Sequence, residues 1–303
     1  MRHSLKMKAE PLPFSSPVLS DAPGVRALTS GAMGSDLAFA NLYLLQKKYG
    51  TTIAVQDECL FRHYGGSGRL QGYAFPCGGG DKEAALCRVE TDACVRRRPV
   101  RFCLLTEEEK ELLERLRPGV FCFTADPGDA DYIYRGRDLA ELPGTVYHRK
   151  RNHISRFEKN YPDWSFLPLN RENGEAALGV AGAWMEGRET PALVHEWRAM
   201  EHALAHWEEL ELCGGLIMVA QQPVAMSVAS FISPTVADVH YEKCLPAFRD
   251  VYPLINRELA RCLGCEFINR EEDLNIPGLR KAKESYYPAQ LLTKYTAYPH
   301  HSC

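Results

Sequence analysis

The sequence predicts an α/β protein built from two copies of one unit. Three observations point there. The order helix, paired strands, helix, strand, helix, strand occurs in both halves, without any residue-level repeat. The character of the chain changes at Leu142-Pro143-Gly144, where a Pro-Gly pair interrupts the periodic segments and a strongly basic stretch begins. Finally, 303 residues with 45% hydrophobic and 25% charged side chains suffice for a large core and for one or two domains.

Residues 1 to about 34 carry Pro, Ser and Gly and little periodicity, and read as a tail or irregular lead-in. Ser35-Asp36 then caps an amphipathic helix, DLAFANLYLLQKKYG, with Leu37, Phe39, Leu42, Tyr43 and Leu45 as its apolar members and Gly50 as its stop. TTIAV (51–55), CLFRHY (59–64) and LQGYAFP (70–76) read as strands, with Gly65-Gly66-Ser67-Gly68 as a turn. Gly78-Gly79-Gly80 precedes a helix that starts near Asp81. This glycine run lacks the Lys-Ser/Thr of a P-loop and the spaced glycines of a dinucleotide fold, so it reads as a plain strand-to-helix connection. Strand VRFCLL (100–105), helix EEEKELLERL (107–116) and strands VFCF (120–123) and DYIYRG (131–136) follow.

From Tyr147 the chain reads YHRKRNHISRFEKNYPDW. Arg149, Lys150, Arg151, Arg156 and Lys159 crowd one helix against a single acid, Glu158, and Ile154 and Phe157 give it only a narrow buried stripe. Like charges at this density repel unless an anion offsets them. A phosphate or nucleic-acid contact is one account, with His148 and His153 as extra donors, and a solvated face is the other.

Strand WSFLPL (164–169) and two helices, about 173–187 and 191–209, come next. The second carries His195, His202 and His206. The pair at 202 and 206 has metal-helix spacing, but the required Glu is not between them and no third ligand stands out, so no metal is expected. GGLIMVA (214–220) and PVAMSVASFI (223–232) form a hairpin through Gln221-Gln222, and ADVHYEKC (237–244) is the next strand. The helix FRDVYPLINRELARCLG (248–264) and a final strand, LLTKYTAY (291–298), complete the chain.

Eleven cysteines are scattered singly, and Cys262-x-x-Cys265 has no partner pair for a zinc site, so reduced, mostly buried thiols are expected. A net charge of −3 argues against nonspecific nucleic-acid coating but leaves room for a local basic groove. No apolar run approaches the ~20 residues that span a bilayer, and the basic N-terminus lacks an apolar signal core. A cytoplasmic protein with no integral membrane segment is expected.

The stretch Phe267 to Tyr287, FINREEDLNIPGLRKAKESYY, is the most site-like. A short apolar strand runs into Asn269, Arg270, Glu271, Glu272 and Asp273. After a turn at Pro277-Gly278 comes a basic helix with Arg280, Lys281, Lys283, Ser285, Tyr286 and Tyr287. Strand-end carboxylates can take a proton from an amine, and clustered Lys and Arg can hold phosphate. The competing account is a solvated helix with structural ion pairs. In VHYEKC, alternation places His240 and Glu242 on one strand face and Tyr241 and Lys243 on the other. Glu242 and Glu271, on neighbouring strands, are then expected close together, where each raises the other's pKa.

The chain resembles the stand-alone proteins related to the C-terminal domain of bacterial phosphatidylglycerol lysyltransferase, close to the FemABX peptidyltransferases and the GNAT superfamily. The resemblance is carried by SDLAFANLYL (35–44), YRGRDLAELPGTVYHRKRNHISRFEKNYP (134–162), VHYEKC (239–244), INREEDLNIPGLRKAKESYYP (268–288) and LLTKYTAY (291–298). It covers nearly everything after residue 25.

The resemblance implies an α/β (α+β) fold of tandem GNAT-like domains, each a mixed, mostly antiparallel sheet flanked by helices. The lead-in would be 1–25, the domains 26–141 and 142–298, and the tail 299–303. It also implies an enzyme that passes an aminoacyl or acyl group from aminoacyl-tRNA or acyl-CoA to an amine or hydroxyl. Two departures narrow this. The turn where coenzyme A sites of the superfamily usually place glycines reads LPAFRDVYP (245–253), with no glycine and an added Asp250. The lysyltransferases also carry a multi-span membrane region, and this chain shows none, which argues against lipid as acceptor.

The expected site follows from these readings. Glu242 or Glu271 is the base and Tyr286 the acid. Arg149, Lys150, Arg151, Asn152, Arg270, Arg280, Lys281 and Lys283 bind donor phosphate, and His240, Asn269, Glu272 and Lys294 line the cleft. No metal and no tightly bound cofactor are expected, with acyl-CoA or aminoacyl-tRNA as co-substrate and tRNA as the macromolecular partner. The rival reading is a noncatalytic protein that keeps the fold and holds a nucleotide or RNA. The sequence names no oligomeric state.

Overall fold

The computed structural model describes residues 10–66, 70–188 and 190–300. Ser67 and Gly68 of the expected turn lie outside the described residues, as do the first nine residues of the lead-in and residues 301–303 of the tail. In chain order the strands are β1 Thr51–Gln56, β2 Cys59–Tyr64, β3 Gly72–Tyr73, β4 Cys77–Gly78, β5 Phe102–Leu105, β6 Phe121–Ala125 and β7 Asp131–Arg135. They continue as β8 Ser165–Pro168, β9 Cys213–Val219, β10 Gln222–Ser233, β11 Val236–Cys244, β12 Phe267–Asn269, β13 Gln290–Leu292 and β14 Tyr295–Pro299.

The strands form two sheets. The first has the order β1-β2-β3-β5-β14-β6 with β4 beside β2, and the second the order β13-β7-β12-β11-β10-β9-β8. Each sheet is antiparallel except for one pair, β3 with β5 in the first and β11 with β12 in the second. Two mixed, mostly antiparallel sheets flanked by helices are the expected fold class.

Packing divides the chain into two compact units, residues 1–29, 45–126 and 293–303, and residues 30–44 and 127–292. The expected break at Leu142 falls inside the second unit. The reason is strand pairing. β7 precedes the Pro-Gly pair, yet it bonds to β12 and β13, and its Tyr132 and Tyr134 share a core with Leu254 and Ile255. LLTKYTAY, expected as one strand, is two: β13 pairs with β7 in the second sheet, and β14 with β5 and β6 in the first.

The helix expected from Ser35 is also broken. Ser35–Leu37 is a 3₁₀ turn, and the helices Phe39–Leu44 and Gln46–Tyr49 follow, ending at Gly50 with φ +58°. Ser35 does not cap: its N–H and its hydroxyl donate to Asp131 at 2.8 and 3.0 Å.

In the first unit, helix Lys82–Val95 is capped by Asp81, and helix Glu107–Leu116 by a reciprocal Thr106–Glu109 box. Leu86, Val89 and Leu113 of these helices pack with Phe75, Phe102 and Phe121. A Cβ on Gly80 would lie 2.1 Å from the Asp57 carbonyl oxygen, so this glycine permits a close backbone approach, as a plain connection requires.

In the second unit, helices His148–Asn160 and Tyr252–Leu263 bring Ile154, Phe157, Leu254, Ile255 and Leu259 against Ile217, Val219 and Val239 of the sheet. The β9–β10 hairpin turns at Ala220-Gln221, both with positive φ, one residue earlier than expected. Such a turn matches the twist of the flanking strands. Of the free thiols, Cys59, Cys103 and Cys244 are buried, but Cys87, Cys94 and Cys262 are exposed, so the cysteines are less uniformly buried than expected.

Gly80→Ala is expected to destabilise the protein by about 1–3 kcal/mol, the scale of an overpacked site. Urea unfolding of the purified variant measures it, and an unchanged midpoint would show that the strand-to-helix connection relaxes freely.

Candidate active site

The second sheet opens where its parallel pair ends. β11 and β12 pair over three positions, Val236 with Phe267, Ala237 with Ile268 and Asp238 with Asn269. The Glu271 N–H then donates to Asn269 Oδ1 at 2.7 Å, and Glu271 takes φ +56°, a left-handed conformation uncommon outside glycine. This turn carries the chain off the sheet. Among the described residues, β11 runs on to Cys244 with no strand on its β12 side, so its outward backbone groups along the gap can pair with an extended ligand.

A bulge sorts the side chains along that gap. Across the β10–β11 ladder, Glu242 faces Ser227 and Val239 faces Ala229, while Tyr241 faces Val228 and Asp238 faces Ser230. Alternation along β10 therefore puts Glu242 and Val239 on one face and Tyr241 and Asp238 on the other, with His240 as the extra, unpaired residue. The expectation that His240 and Glu242 share a face is thus corrected. Glu242 and Glu271 are not brought together either. Glu242 meets Arg270 and Asn256, and Glu271 meets His240 and Asn41.

On the first face, Arg270 Nη2 donates to Glu242 Oε1 at 2.9 Å, with the two side chains 14% and 11% exposed. Asn256 donates to Glu242 Oε2 at 3.4 Å. The buried Tyr286 ring lies 3.7 Å from Lys150 Nζ and 5.0 Å from the Arg270 guanidinium, and Lys150 also donates to Ser285 Oγ at 2.6 Å. Burial pushes the Lys150 ammonium down to about 8, with Arg270 adding to the effect and Glu242 opposing it.

Lys283 is likewise pushed to about 8, by burial first and then by Arg270. Its amine turns inward to the backbone oxygens of Arg270 and Glu271. Burial raises the Tyr286 hydroxyl and keeps it protonated. Arg270 Nη1 is buried and makes no hydrogen bond, which leaves one donor for an incoming oxygen.

On the second face, His240 Nε2 and Ser230 Oγ lie 2.8 Å apart. His240 Nδ1 is 3.4 Å from Asp238 Oδ2 and 3.5 Å from Glu271 Oε1. Asn41 Nδ2 donates to Asp238 Oδ2, Glu271 Oε1 and the Ser35 carbonyl at 3.0, 3.1 and 3.1 Å. The His240 side chain is 2% exposed and Asp238 fully buried, whereas Glu271 is 29% exposed and forms the outlet. Burial pushes the Glu271 carboxyl up, but the neighbouring His240 imidazole and the Asn41 amide outweigh it and hold the group below the usual range. Ser230, His240 and an acid form a chain that was not apparent in the sequence. Ser230 is buried, at 3% exposed.

The remaining expected residues are spent locally or lie in the open. Arg151 Nη1 binds the carbonyls of Leu142 and Gly144 at 2.5 and 2.7 Å. Arg280 forks onto Asp273 at 2.7 and 3.1 Å. Asn269 is buried and donates to Asp131 at 2.8 Å, Glu272 is half-buried, and Asn152 is exposed beside His148. Arg149 and Lys281 are exposed and form no ion pair among the described residues. Lys294 is buried and belongs to the first unit.

The structure thus groups Glu242, Arg270, Tyr286, Lys150 and Lys283 on one face, and His240, Asn269 and Glu271 on the other. Asp238, Ser230, Asn41 and Asp131 were missed. Asp238 stands two residues before His240 and its spacing was readable. Asn41 and Asp131 come from distant segments and carry no local signal.

The class is therefore an α/β protein with two mixed, helix-flanked sheets, each holding one parallel pair, and in the second sheet that pair splays beside a bulge. Residues 29–298 match the model of the family described as phosphatidylglycerol lysyltransferase, C-terminal, and the chain belongs to that family. A conserved protein of unknown function from Bacteroides thetaiotaomicron VPI-5482 is 34% identical, with a TM-score of 0.90 over 95% of this chain and 99% of its own. L-PGS from Bacillus licheniformis is 14% identical, with a TM-score of 0.64 over 92% of each chain. FemX is 10% identical, with a TM-score of 0.64 over 96% of this chain and 98% of its own; these last two show a common fold. No curated protein matches the chain. Among the described residues no helix is long and apolar enough to cross a membrane.

Two stability effects are expected. Glu242→Gln leaves the Arg270 charge buried without its counter-charge and is expected to cost about 3–5 kcal/mol in urea unfolding. The Arg280 hydrogen bond holds the Asp273 carboxyl down to about 2, against the opposing effect of burial. A depressed folded-state pKa stabilises fully above the unfolded value of ~3.9 and is lost as pH falls towards 2. Asp273→Asn should therefore weaken the protein at pH 7 and flatten its decline in that acid window. Parallel acid curves for the two proteins would show that the pair contributes nothing.

Proposed function

We propose that this protein transfers an acyl or aminoacyl group from an activated, phosphate-bearing donor to an amine or hydroxyl acceptor. The observation that carries the proposal is the splay of β11 from β12 beside a free donor, Arg270 Nη1. An extended donor can lie along the open edge of β11, with its reacting carbonyl oxygen taking hydrogen bonds from backbone N–H and from Arg270. The acceptor lone pair attacks the carbonyl carbon, Glu271 takes the acceptor proton, and the ester or thioester bond to the donor breaks. Tyr286, protonated, is the candidate acid for the leaving group.

Aminoacyl-tRNA fits better than acyl-CoA. The turn before helix Tyr252–Leu263 is where a pyrophosphate would use helix N–H groups. It carries Asp250, whose carboxylate is already held by Arg156 at 2.6 and 2.7 Å and by His153 at 2.8 Å. The exposed Arg149 and Lys281 suit a longer polyanion. The family name, a lysyltransferase, also describes an aminoacyl group. A tRNA-borne donor would place the reaction in the cytoplasm.

Incubation with panels of aminoacyl-tRNAs and acyl-CoAs, read by mass spectrometry of acceptor products, tests the reading. With the active donor, Glu271→Gln is expected to remain folded and lose ~10²-fold or more in rate. Lys281→Ala is expected to weaken donor binding by about 1–3 kcal/mol. RNA or nucleotide binding without product from any donor would favour the noncatalytic reading.

A further inference from the structure

We propose that Asp238, His240 and Glu271 form a binding site for one divalent transition-metal ion. Their donor atoms lie within 4.8 Å of one another. His240 Nδ1 stands 3.4 and 3.5 Å from the two carboxylate oxygens. A charge-assisted hydrogen bond between imidazolium and carboxylate closes to ~2.7–2.9 Å, so these separations are too long for one. They match the ~3.4 Å between neighbouring donors on a tetrahedral ion with bonds of ~2.0–2.1 Å.

A second observation points the same way. The His240 side chain is 2% exposed, and its Nδ1 makes no hydrogen bond while it aims between two carboxylates. Its other nitrogen is 2.8 Å from Ser230 Oγ, the kind of outer partner that fixes the ring of a metal-binding histidine. The Asn41 amide offers two hydrogens to three oxygens, those of Asp238, Glu271 and Ser35. It thus covers the carboxylates with partial positive charge, a lesser version of what a cation supplies.

One imidazole and two carboxylates suit zinc, manganese or ferrous iron and disfavour copper(I). The partly exposed Glu271 is the way in for a small ion. The assignment does not rest on the transfer reaction. An ion held there would occupy the Glu271 carboxylate and close it to proton uptake.

Cobalt(II) titration of the chelator-stripped, full-length protein tests the site by calorimetry and visible absorption. Cobalt reports its own ligands, and a thiolate charge-transfer band would reveal binding by the free cysteines instead. The expected result is one equivalent bound without that band. Saturable binding is expected to vanish in His240→Gln and to weaken ~10-fold in Ser230→Ala, which alters only the outer partner. Asn41→Asp adds a carboxylate within reach and is expected to tighten binding and to raise the melting-temperature gain on cobalt addition. It remains informative should His240→Gln fail to fold. No binding by the wild type, a thiolate spectrum, or an affinity unmoved by Asn41→Asp would each overturn the proposal.

Discussion

The three-residue parallel pairing of β11 with β12 is the constraint on which the rest of the second unit depends. While it lasts, it forces Asp238 beside Asn269 and fixes the phase of both strands. When it stops, the left-handed turn at Glu271 throws Arg270 and Glu271 to opposite sides of the gap. A longer pairing would close the backbone edge of β11. A shorter one would leave neither carboxylate in register with its partner. Strain at Glu271 is tolerable because Asn269 holds the turn, and Asn269 is itself held by Asp131 and the Met33 carbonyl.

The two faces of the gap solve the same electrostatic problem differently. On one, Arg270 and Glu242 offset each other, and Tyr134 and Tyr286 wall them from water. Burial first, and then the Arg270 charge, disfavours the ammonium forms of Lys150 and Lys283 beside this pair. On the other, acids outnumber bases. Asp131, Asp238 and Glu271 meet one histidine and a set of neutral donors from Ser35, Asn41 and Asn269. The gap thus carries surplus positive charge on one side and surplus negative charge on the other.

The segment 30–44 explains why local reading of the N-terminal part went astray. Ser35-Asp36 has the composition of a helix cap, but Asp131 claims both donors of Ser35, and Asn41 is drawn to Asp238 and Glu271. The helix therefore starts later and breaks early. A buried carboxylate without donors costs more than a displaced helix start, so the polar network prevails over the local signal.

Sequence by itself determined the periodic elements: helices Lys82–Val95, Glu107–Leu116, His148–Asn160 and Tyr252–Leu263, most of the strands, and the α/β class. It also marked the stretch from Phe267 to Tyr287 as chemically loaded. These features are local, set by side-chain period, caps and turn residues. Only the tertiary structure decided three further things. LLTKYTAY splits between two sheets, and β7 belongs with strands more than a hundred residues later. His240 is the bulge residue that separates itself from Glu242. Which strands pair, and where one residue slips out of register, depends on contacts between distant segments. A one-residue slip sends a side chain to the opposite face, leaving no trace in the local pattern.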